Sequence, residues 1–398
     1  MPRLVAFFFF LLLGGVAGAS EPERIGFGMR SPGMGGTGTA TATDHEATYL
    51  NPGGLGLATA RELTVGFVVA RYRLTLDGKV RDVDGTAGLL IGATVPIPLR
   101  GVMARRLTLG LGFYIPFGVI NRAKAPYPDQ PGLALLDSST QTVSILLAGA
   151  VRITDWLSVG GGTLALAALV GGIALRTDGA GRIGSQAEEQ LVTDFAPLVG
   201  VRFDPHRRLH LGVVFRGRSV SRYDIRIDGN LGNAVPLTLP KFQISGTSQF
   251  DPLQVAVEGA VAVGAGTLLA VQAVYKRWSE FPLPSENATL GAPPQPPTGF
   301  HDTVVPRLGL EWKRRLGPVD LALRGGYFFE WSPTPAPRPE STLLDPSRHV
   351  LTLGSAVAFR NRYAPVHVEL FFQWHQSQPG GRSGGFFGAG GLTLGAEL

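Results

Sequence analysis

The stretch RRLTLGLGFYIPFG, residues 105–118, alternates large apolar side chains with small or polar ones. Its apolar positions are Leu107, Leu109, Leu111 and Phe113. The residues between them are Thr108, Gly110, Gly112 and Tyr114. A period of two places alternate side chains on opposite faces of a strand, so the stretch predicts a β-strand with one apolar face.

The same period recurs through most of the chain, for example in residues 207–218, 319–331 and 365–375. These runs are commonly about 13 residues long, against about 5–6 for strands of globular proteins. Their apolar faces end near an aromatic residue, as at Trp278, Trp331 and Trp374, which is typical of the girdle around a membrane barrel. Every backbone polar group must be paired in lipid, so strands can span a membrane only as a closed sheet. The sequence therefore predicts an all-β, antiparallel transmembrane β-barrel.

Short turns and long segments alternate between the predicted strands. The short turns lie at residues 99–106, 152–156, 204–208, 264–266, 316–318 and 360–365. The long polar or proline-rich segments lie at residues 119–138, 177–189, 281–301 and 332–347. Short periplasmic turns opposite long extracellular loops are typical of outer-membrane barrels.

A first count gives about fifteen strands, whereas bacterial single-chain barrels have an even number. The doubtful region is residues 241–263, where Asp251-Pro252 resembles a turn. A turn there would place the long 281–301 segment on the periplasmic side. We therefore interpret residues 241–263 as one strand bulged at Pro252, which predicts a 14-stranded barrel.

Residues 1–19 have the pattern of a secretory signal peptide. Arg3 supplies the positive charge, Leu4–Leu13 the apolar run, and Ala17-Gly18-Ala19 the cleavage motif. We expect cleavage after Ala19, so that the mature chain begins at Ser20 and leaves the cytosol.

Residues 33–38, GMGGTG, match the G-x-G-x-x-G spacing of dinucleotide-binding loops. That function needs a buried strand before the glycines and a helix after them. The preceding SEPERIGFGMRS, residues 20–31, contains no apolar strand, and a Thr- and Gly-rich stretch follows as far as Asn51-Pro52-Gly53. We therefore expect no nucleotide cofactor; a flexible segment after a signal peptide is the simpler interpretation.

The composition excludes several classes of protein. The 398 residues contain no cysteine, which excludes disulfides, a thiolate nucleophile and Cys-ligated zinc. The net charge is +6, but the basic residues are dispersed and form no nucleic-acid module. The chain has 55 glycines among its 398 residues, whereas glycine averages about 7% of a protein. Charged residues make up 17% of the chain, against an average of about 25%. This composition does not fit a soluble α/β enzyme. Residues 157–175 are long enough for a membrane helix, but they contain five glycines and no similar segments accompany them.

Residues 26–55, GFGMRSPGMGGTGTATATDHEATYLNPGGL, resemble the mature N-terminus of the FadL family. The match falls on Gly35-Gly36, Thr39-Ala40, Asp44 and Asn51–Leu55. Weaker similarities to the family are LGLGFYIPFG at 109–118, LTLP at 237–240 and KRWSEF at 276–281. Two departures are Gly53, where alanine is usual, and the final Leu398, where an aromatic residue is common. The second departure leaves recognition by the barrel assembly machinery open.

The resemblance implies an outer-membrane transporter of long-chain fatty acids or of aromatic hydrocarbons such as toluene. It implies a 14-stranded barrel whose N-terminal segment folds inside as a plug, or hatch. The expected division is a signal peptide at 1–19, a hatch at 20–61 and a transmembrane β-barrel at 62–398. The hatch residues carried over are Gly35, Gly36, Asp44, Asn51, Pro52 and Gly53. A plain linker remains the alternative for this segment.

The resemblance also implies capture in extracellular loops, passage past the hatch, and lateral release through a kink in the third strand. Gly110, Gly112 and Pro116 suit a kink, because glycine weakens a strand and proline lacks a ladder donor. The alternative is that the two glycines relieve crowding against the hatch.

A carboxylate head group would need an inward-facing cation. Alternation places several arginines inside, and our candidates for substrate binding are Arg216, Arg218 and Arg324. Internal ion pairing that supports barrel and hatch is the simpler interpretation for any one of them.

An outer-membrane barrel enzyme, such as a lipase, and a passive porin for small polar solutes are the alternative functions. Seven histidines are present, but His45-Glu46 lacks the second histidine of a zinc motif. A hatch in the lumen argues against an open porin. We expect a non-enzymatic importer without a metal or other cofactor.

The expected location is the Gram-negative outer membrane, and the expected state is a monomer. The expected partners are a hydrophobic small-molecule substrate, outer-membrane lipid and the barrel assembly machinery. No nucleic acid is expected among them.

Overall fold

The computed structural model describes residues 19–81, 83–117, 121–122, 130–136, 141–177, 183–230, 242–283, 297–360, 365–378 and 381–398. The predicted signal peptide, except Ala19, the 237–240 similarity, and parts of the predicted loops at 119–138 and 281–301 lie outside these ranges. The described residues form a ring of strands around an N-terminal segment, residues 19–61.

The ring contains fourteen strands, two of which are interrupted for one or two residues. They are β1 (Glu62–Leu76), β2 (Thr86–Pro96), β3 (Leu107–Pro116), β4 (Ser144–Arg152), β5 (Leu157–Thr177), β6 (Ile183–His206), β7 (Leu209–Arg216 and Ser219–Asn230), β8 (Phe242–Asp251 and Leu253–Gly264), β9 (Thr267–Arg277), β10 (Thr303–Leu316), β11 (Val319–Glu330), β12 (Arg348–Phe359), β13 (Val366–Ser377) and β14 (Ser383–Glu397).

Short elements accompany the ring. The helices of the N-terminal segment are α1 (Glu21–Arg24), α2 (Arg30–Gly33) and α3 (Ala47–Leu50), followed by a 3-10 turn, Pro52–Leu57. Further 3-10 turns are Gly101–Met103 and Trp278–Glu280. Short strand pairs outside the ring are Lys79–Arg81 with β1, Asn121–Arg122 with Gln141–Thr142, and Gly132–Leu133 with Leu343–Leu344. Across the described ranges, no helix has the length and apolar character that crossing a bilayer requires.

The ring closes between its first and last strands. β1 pairs antiparallel with β14 from Glu62↔Glu397 to Leu76↔Ser383, and it pairs with β2 on its other edge. The residue after β14, Leu398, still donates its backbone N–H to Arg61 O at 2.8 Å. The predicted antiparallel barrel of fourteen strands is confirmed.

Pro252 interrupts β8 without ending it. The part before Pro252 pairs with the upper part of β7, from Ser219↔Asp251, and the part after it pairs with the lower part, down to Leu209↔Val261. Because proline lacks an N–H donor, the ladder loses one residue there and continues. The interpretation of residues 241–263 as one strand is therefore correct.

The two faces of the strands meet different surroundings. In β9, Val271 and Tyr275 are exposed while Gln272 and Lys276 are buried. Large apolar side chains point outward around the ring, for example Leu63, Phe67, Val213, Val271, Leu310, Leu353 and Leu394. Exposing apolar surface to water costs about 25 cal/mol per Å², so this belt belongs in lipid. The protein is an outer-membrane-type barrel.

Trp278 was predicted in the aromatic girdle, and this prediction is wrong. Trp278 follows Lys276 by two residues, so the period of two gives both the same inward direction, and Trp278 is 2% exposed. Trp331 is exposed on the outside, and Trp374 is partly exposed and stacks on Phe386.

The segment 177–189 was predicted as a long loop, and this prediction is wrong for residue 177 and for residues 183–189, while residues 178–182 lie outside the described ranges. β5 and β6 pair continuously from Leu157↔Phe203 to Thr177↔Ile183. Polar residues lie in this part of β6 without a proline to stop the ladder, so the hairpin extends. β7 supports the extension, since Tyr223–Asn230 pair in parallel with Leu169–Arg176 of β5. The same pairing excludes a membrane helix at 157–175.

Replacing Val271 by arginine tests the outward face. Val271 is 57% exposed in the middle of β9, and an arginine in contact with lipid near the midplane should destabilise the barrel by about 2–4 kcal/mol. Urea unfolding in lipid vesicles measures the effect. Val102→Arg, in the exposed turn Gly101–Met103, is the control and should change stability little. Equal effects of the two variants would contradict the assigned faces.

Candidate functional site

The N-terminal segment contacts inward-facing side chains on widely separated strands. Arg30 makes a bidentate ion pair with Glu311 of β10, with Nε–Oε2 and Nη2–Oε1 distances of 3.0 Å. The backbone N–H groups of Gly38 and Thr39 donate to Glu258 of β8 at 2.6 and 2.8 Å. Most of the segment is buried. It therefore lies inside the ring, while its role as a hatch stays a prediction.

Gly35 and Gly36 both have positive φ, 67° and 69°. A Cβ on Gly35 would collide with the carbonyl oxygen of Leu308, and a Cβ on Gly36 would lie 2.6 Å from the Arg307 guanidinium. Glycine is needed here both for the left-handed backbone and for the close approach to β10.

Asn51, Pro52 and Gly53 form the turn that leads towards β1. The Asn51 side-chain amide donates to Thr39 O and Val201 O, at 2.6 and 3.0 Å, and its oxygen accepts Gly53 N–H at 3.0 Å. A Cβ on Gly53 would lie 2.9 Å from the backbone of β6. Asn51 therefore joins the end of the N-terminal segment to an earlier part of the segment, at Thr39, and to β6 of the wall, at Val201.

Asp44 precedes helix α3 and lies next to the buried His45. Its carboxylate accepts Glu46 N–H at 2.9 Å. Burial would lower the pKa of His45, but the carboxylates of Glu62, Asp44 and Glu46 outweigh burial and raise it to about 9. His45 Nδ1 lies 3.5 Å from Glu62 Oε1, so an imidazolium joins the segment to β1 below that pH.

β3 is a regular strand over its described length. It pairs with β2 from Gly88↔Pro116 to Pro96↔Thr108 and with β4 from Leu107↔Val151 to Tyr114↔Ser144, without a register shift. A Cβ on Gly110 would lie 2.5 Å from Thr48 Oγ1, and a Cβ on Gly112 would lie 2.5 Å from Phe27 Cζ. Both glycines therefore make room for the N-terminal segment. Opening of the wall at Gly110, Gly112 and Pro116 stays a prediction.

The three arginines predicted to bind substrate lie apart. Arg216 is buried, donates to Tyr49 O at 3.2 Å and Gln254 Oε1 at 2.6 Å, and stacks over the Tyr49 ring. Arg324 is buried between Glu311 and Glu369 at 2.9 and 3.1 Å.

Arg218 is exposed and lies 3.4 Å from Glu280. The structure does not bring the three side chains together, and their role in binding substrate stays a prediction.

A second ion network lies higher in the lumen. Lys276 Nζ is 2.7 Å from Glu23 Oε1 and 2.6 Å from Glu330 Oε1, and Glu330 also pairs with Arg348 at 2.6 Å. Removing one partner of such a pair leaves an uncompensated buried charge. The networks therefore hold the N-terminal segment against the wall.

Apolar residues gather at the long-loop end. The aromatic cluster comprises Ala19, Ala134, Leu135, Phe250, Trp278, Phe281 and Phe300. The aliphatic cluster comprises Leu74, Leu76, Val83, Leu133, Leu136, Leu344 and Phe387. Phe281 stacks on Phe300 with ring centroids 4.4 Å apart. The long-loop end of the lumen is therefore apolar.

A polar site that the sequence did not single out lies between these apolar surroundings and the core of the segment. Arg24 of α1 is 7% exposed, and its Nη2 pairs with Glu21 at 2.6 Å. Burial alone would lower the pKa of Arg24, but Tyr72, Glu21 and Tyr114 act on it electrostatically and raise it. The three side chains Arg24, Tyr72 and Tyr114, from α1, β1 and β3, form what we call the Arg24 site.

The Arg24 site has unused hydrogen-bonding capacity. Arg24 Nε and Nη1 and the hydroxyls of Tyr72 and Tyr114 are buried and lack hydrogen-bond partners within the described ranges. Tyr72 also packs against the aliphatic cluster and on Phe387, with ring centroids 5.0 Å apart. Unsatisfied buried donors cost free energy, so the arrangement suits an acceptor group attached to an apolar chain. Arg24 stands in the charged run SEPER, residues 20–24, and only the tertiary fold brings Tyr72 and Tyr114 close to it.

The short-turn end, periplasmic in outer-membrane barrels, is highly charged. A cavity of about 470 Å³ there is lined by His45, Glu62, Lys313, Arg315 and Arg360, among others. Midway up the lumen, a cavity around Glu23 and Arg216 holds only about 20 Å³. Little open space therefore remains around Glu23 and Arg216, and the short-turn mouth is polar.

The described residues do not form a complete hydrolase catalytic site or metal-binding site. Asp204 and His210 pair at 2.8 Å near a periplasmic turn. Residues 381–385 have a literal G-x-S-x-G spacing, but Ser383 begins β14, so a strand follows where the nucleophile elbow needs a helix. No group of three or more His, Cys, Asp or Glu that could hold a metal occurs in the ranges the structure describes.

Replacing Gly112 by valine tests the seating of the N-terminal segment. The new side chain would occupy the place of Phe27 and should destabilise that contact by about 1–3 kcal/mol. We expect faster hydrogen exchange in residues 25–30, with the barrel still folded by its heat-dependent gel shift. The control is Gly161→Ala in β5, whose Cβ would meet only Leu198 O at 3.5 Å. Unchanged exchange in Gly112→Val would contradict the contact.

The sequence matches no protein-family model and no curated protein. Its fold is similar to that of a Pseudomonas aeruginosa FadL homologue, with a TM-score of 0.59 and 15% identity over 96% of this chain and 98% of that one. It is also similar to the Ralstonia pickettii toluene transporter TbuX, with a TM-score of 0.58 and 14% identity over 94% and 99%. The Pseudomonas putida toluene transporter TodX has a TM-score of 0.55 and 12% identity over 94% and 99%. The resemblance to the FadL family is therefore confirmed at the level of the fold.

Proposed function

We propose that this barrel imports hydrophobic small molecules across the Gram-negative outer membrane. A ligand is captured at the long-loop end, passes the N-terminal segment, which acts as the hatch, and leaves sideways through the wall at β3. The chain acts as a monomer in outer-membrane lipid after insertion by the barrel assembly machinery, without a cofactor. The shared fold supports the proposal, since similar structures include a FadL homologue and two toluene transporters.

The observation that carries the proposal is the change of polarity along the lumen. The aromatic and aliphatic clusters lie at the loop end, and little open space remains around Glu23 and Arg216. The far end carries Lys313, Arg315 and Arg360. An apolar ligand gains about 25 cal/mol per Å² on entering the clusters and would lose it again in the charged mouth. Import of such a ligand therefore favours an exit into the bilayer over an exit into the periplasm.

β3 is the part of the wall best placed for that exit. Its inner face carries Gly110 and Gly112, which present no side chain to the lumen, and Tyr114, which belongs to the Arg24 site. Movement of Thr48 and Phe27 away from these glycines would uncover bare strand next to the bound ligand. The proposed path runs from the loop-end clusters past the Arg24 site to β3.

The Arg24 site favours a long-chain carboxylate over a neutral hydrocarbon as substrate. The guanidinium and two hydroxyls supply donors for two carboxylate oxygens, and the aliphatic cluster beside Tyr72 accepts the chain. Arg216, Arg218 and Arg324 remain candidates for contacts farther along the path.

Tyrosine-to-phenylalanine variants test the head-group contact without altering packing. Tyr114→Phe should weaken binding of a long-chain fatty acid by about tenfold to a hundredfold, because a hydrogen bond to a charged group contributes about 1.5–3 kcal/mol. Binding of a neutral alkane of the same length should not change. Calorimetry on purified protein measures both, and Tyr327→Phe on the outer face is the matched control. Unchanged fatty-acid binding would remove the head-group assignment and leave import of hydrocarbons standing.

Cross-linking β3 to its neighbours tests lateral release, and the chain has no native cysteine to interfere. Ile91, Phe113 and Ile145 face outward on β2, β3 and β4 and are direct cross-strand neighbours, so Ile91→Cys/Phe113→Cys and Phe113→Cys/Ile145→Cys can each form a disulfide. We expect at least one of the two oxidised pairs to reduce uptake of the ligand into cells by more than tenfold. Uptake should recover after the disulfide is reduced, and the affinity for the ligand should not change.

The control lock is Leu323→Cys/Ser355→Cys, a cross-strand pair of β11 and β12 far from β3 in the ring order. It should leave uptake unchanged. Full uptake with both β3 seams oxidised would contradict lateral release there. A large steady ion current through the unmodified protein in planar bilayers would instead favour the porin alternative.

A further inference from the structure

We propose that the wall of this barrel contains a receptor site for the processed end of the chain: the Asp251 carboxylate of β8 binds the α-ammonium group that signal cleavage creates at Ser20. In the folded chain, Ser20 N lies 2.7 Å from Asp251 Oδ1, across 231 residues of sequence. Ser20 is 1% exposed and Asp251 5% exposed. The contact is therefore enclosed inside the barrel.

The predicted signal-peptide cleavage site lies directly before the backbone nitrogen of Ser20. Ala17-Gly18-Ala19 is the cleavage motif, so removal of residues 1–19 converts the Ser20 amide into an ammonium group. An amide offers one N–H, whereas an ammonium offers three. Asp251 Oδ2 is buried without a hydrogen-bond partner in the described part of the chain, so it is available to accept one of the additional protons.

Asp251 also needs a positive partner that no side chain supplies. Among the described ion pairs none includes Asp251, although it is almost fully buried. The neighbouring Lys276 is shared by Glu23 and Glu330, and Arg216 donates to Gln254 and Tyr49 O. An isolated buried carboxylate is costly, and the new ammonium compensates it at hydrogen-bond distance.

The contact lies beside the aromatic cluster, and cleavage removes one member of that cluster. Ala19, the residue that cleavage removes, lies 3% exposed in the aromatic cluster with Phe250 and Trp278. Ser20 then caps α1, since its Oγ accepts Glu23 N–H at 3.2 Å. The ion pair thus fixes the start of α1, which carries Arg24, only after export and cleavage.

The test begins with protein purified from outer membranes. Intact mass and the N-terminal peptide should show Ser20 as the first residue. Reductive dimethylation at pH 7 should then label the α-amine of the folded protein at least tenfold more slowly than that of the urea-unfolded protein. Asp251→Asn, which keeps the shape and removes the charge, should raise the folded-state rate at least fivefold. Glu280→Gln, at an exposed ion pair, should leave the rate unchanged.

A second variant keeps the test decisive if Asp251→Asn does not fold. One glycine inserted directly before Ser20 moves the ammonium by up to about 3.8 Å while Asp251 stays intact, and its α-amine, no longer paired with Asp251, should label at least fivefold faster than that of the unmodified folded protein. The heat-dependent gel shift confirms a folded barrel in each case. A first residue other than Ser20, rapid labelling of the unmodified folded protein, or full protection of the glycine-insertion variant would each overturn the proposal.

Discussion

The constraint on which the rest of this structure depends is the pairing of every backbone polar group in lipid. A spanning sheet can meet that condition only by closing on itself, and here β1 pairs with β14 along its whole length. Closure fixes an outer face that contacts lipid and an inner face that surrounds a lumen. It also explains why the chain tolerates Pro252: the loss of one ladder donor in β8 costs less than opening the ring.

A ring of fourteen strands is too wide for its own side chains to fill, and the N-terminal segment occupies the space. The N-terminal segment can fill the lumen only if two physical requirements are met. The backbone must approach the wall closely, which Gly35, Gly53 and Gly112 allow. The polar groups brought inside must be compensated, which Arg30 with Glu311 and Lys276 with Glu330 achieve. The buried charges therefore serve first to seat the segment.

The Arg24 site combines a compensated charge with unused hydrogen-bond donors. Arg24 is paired with Glu21, as Arg324 and Arg348 are paired with carboxylates, but its two remaining nitrogens lie with two tyrosine hydroxyls that also lack hydrogen-bond partners in the described ranges. It lies next to apolar clusters and next to β3. The proposed import path depends on this combination of unused donors and apolar surface, and the charged periplasmic mouth makes a sideways exit the less costly route for an apolar chain.

The sequence by itself determined the fold class and the facing of most strands, because a period of two is a local property. The number of strands needed the even-number rule of bacterial barrels as well, since the first count gave about fifteen. Two local interpretations were wrong: Trp278 shares the inward direction of Lys276, and residues 183–189 continue the ladder of β6 with β5. Only the tertiary structure brings Ser20 to Asp251 and Arg24 to Tyr72 and Tyr114, since these groups are far apart along the chain. Their contacts arise from the closure of the ring around the segment, and no sequence spacing encodes that geometry.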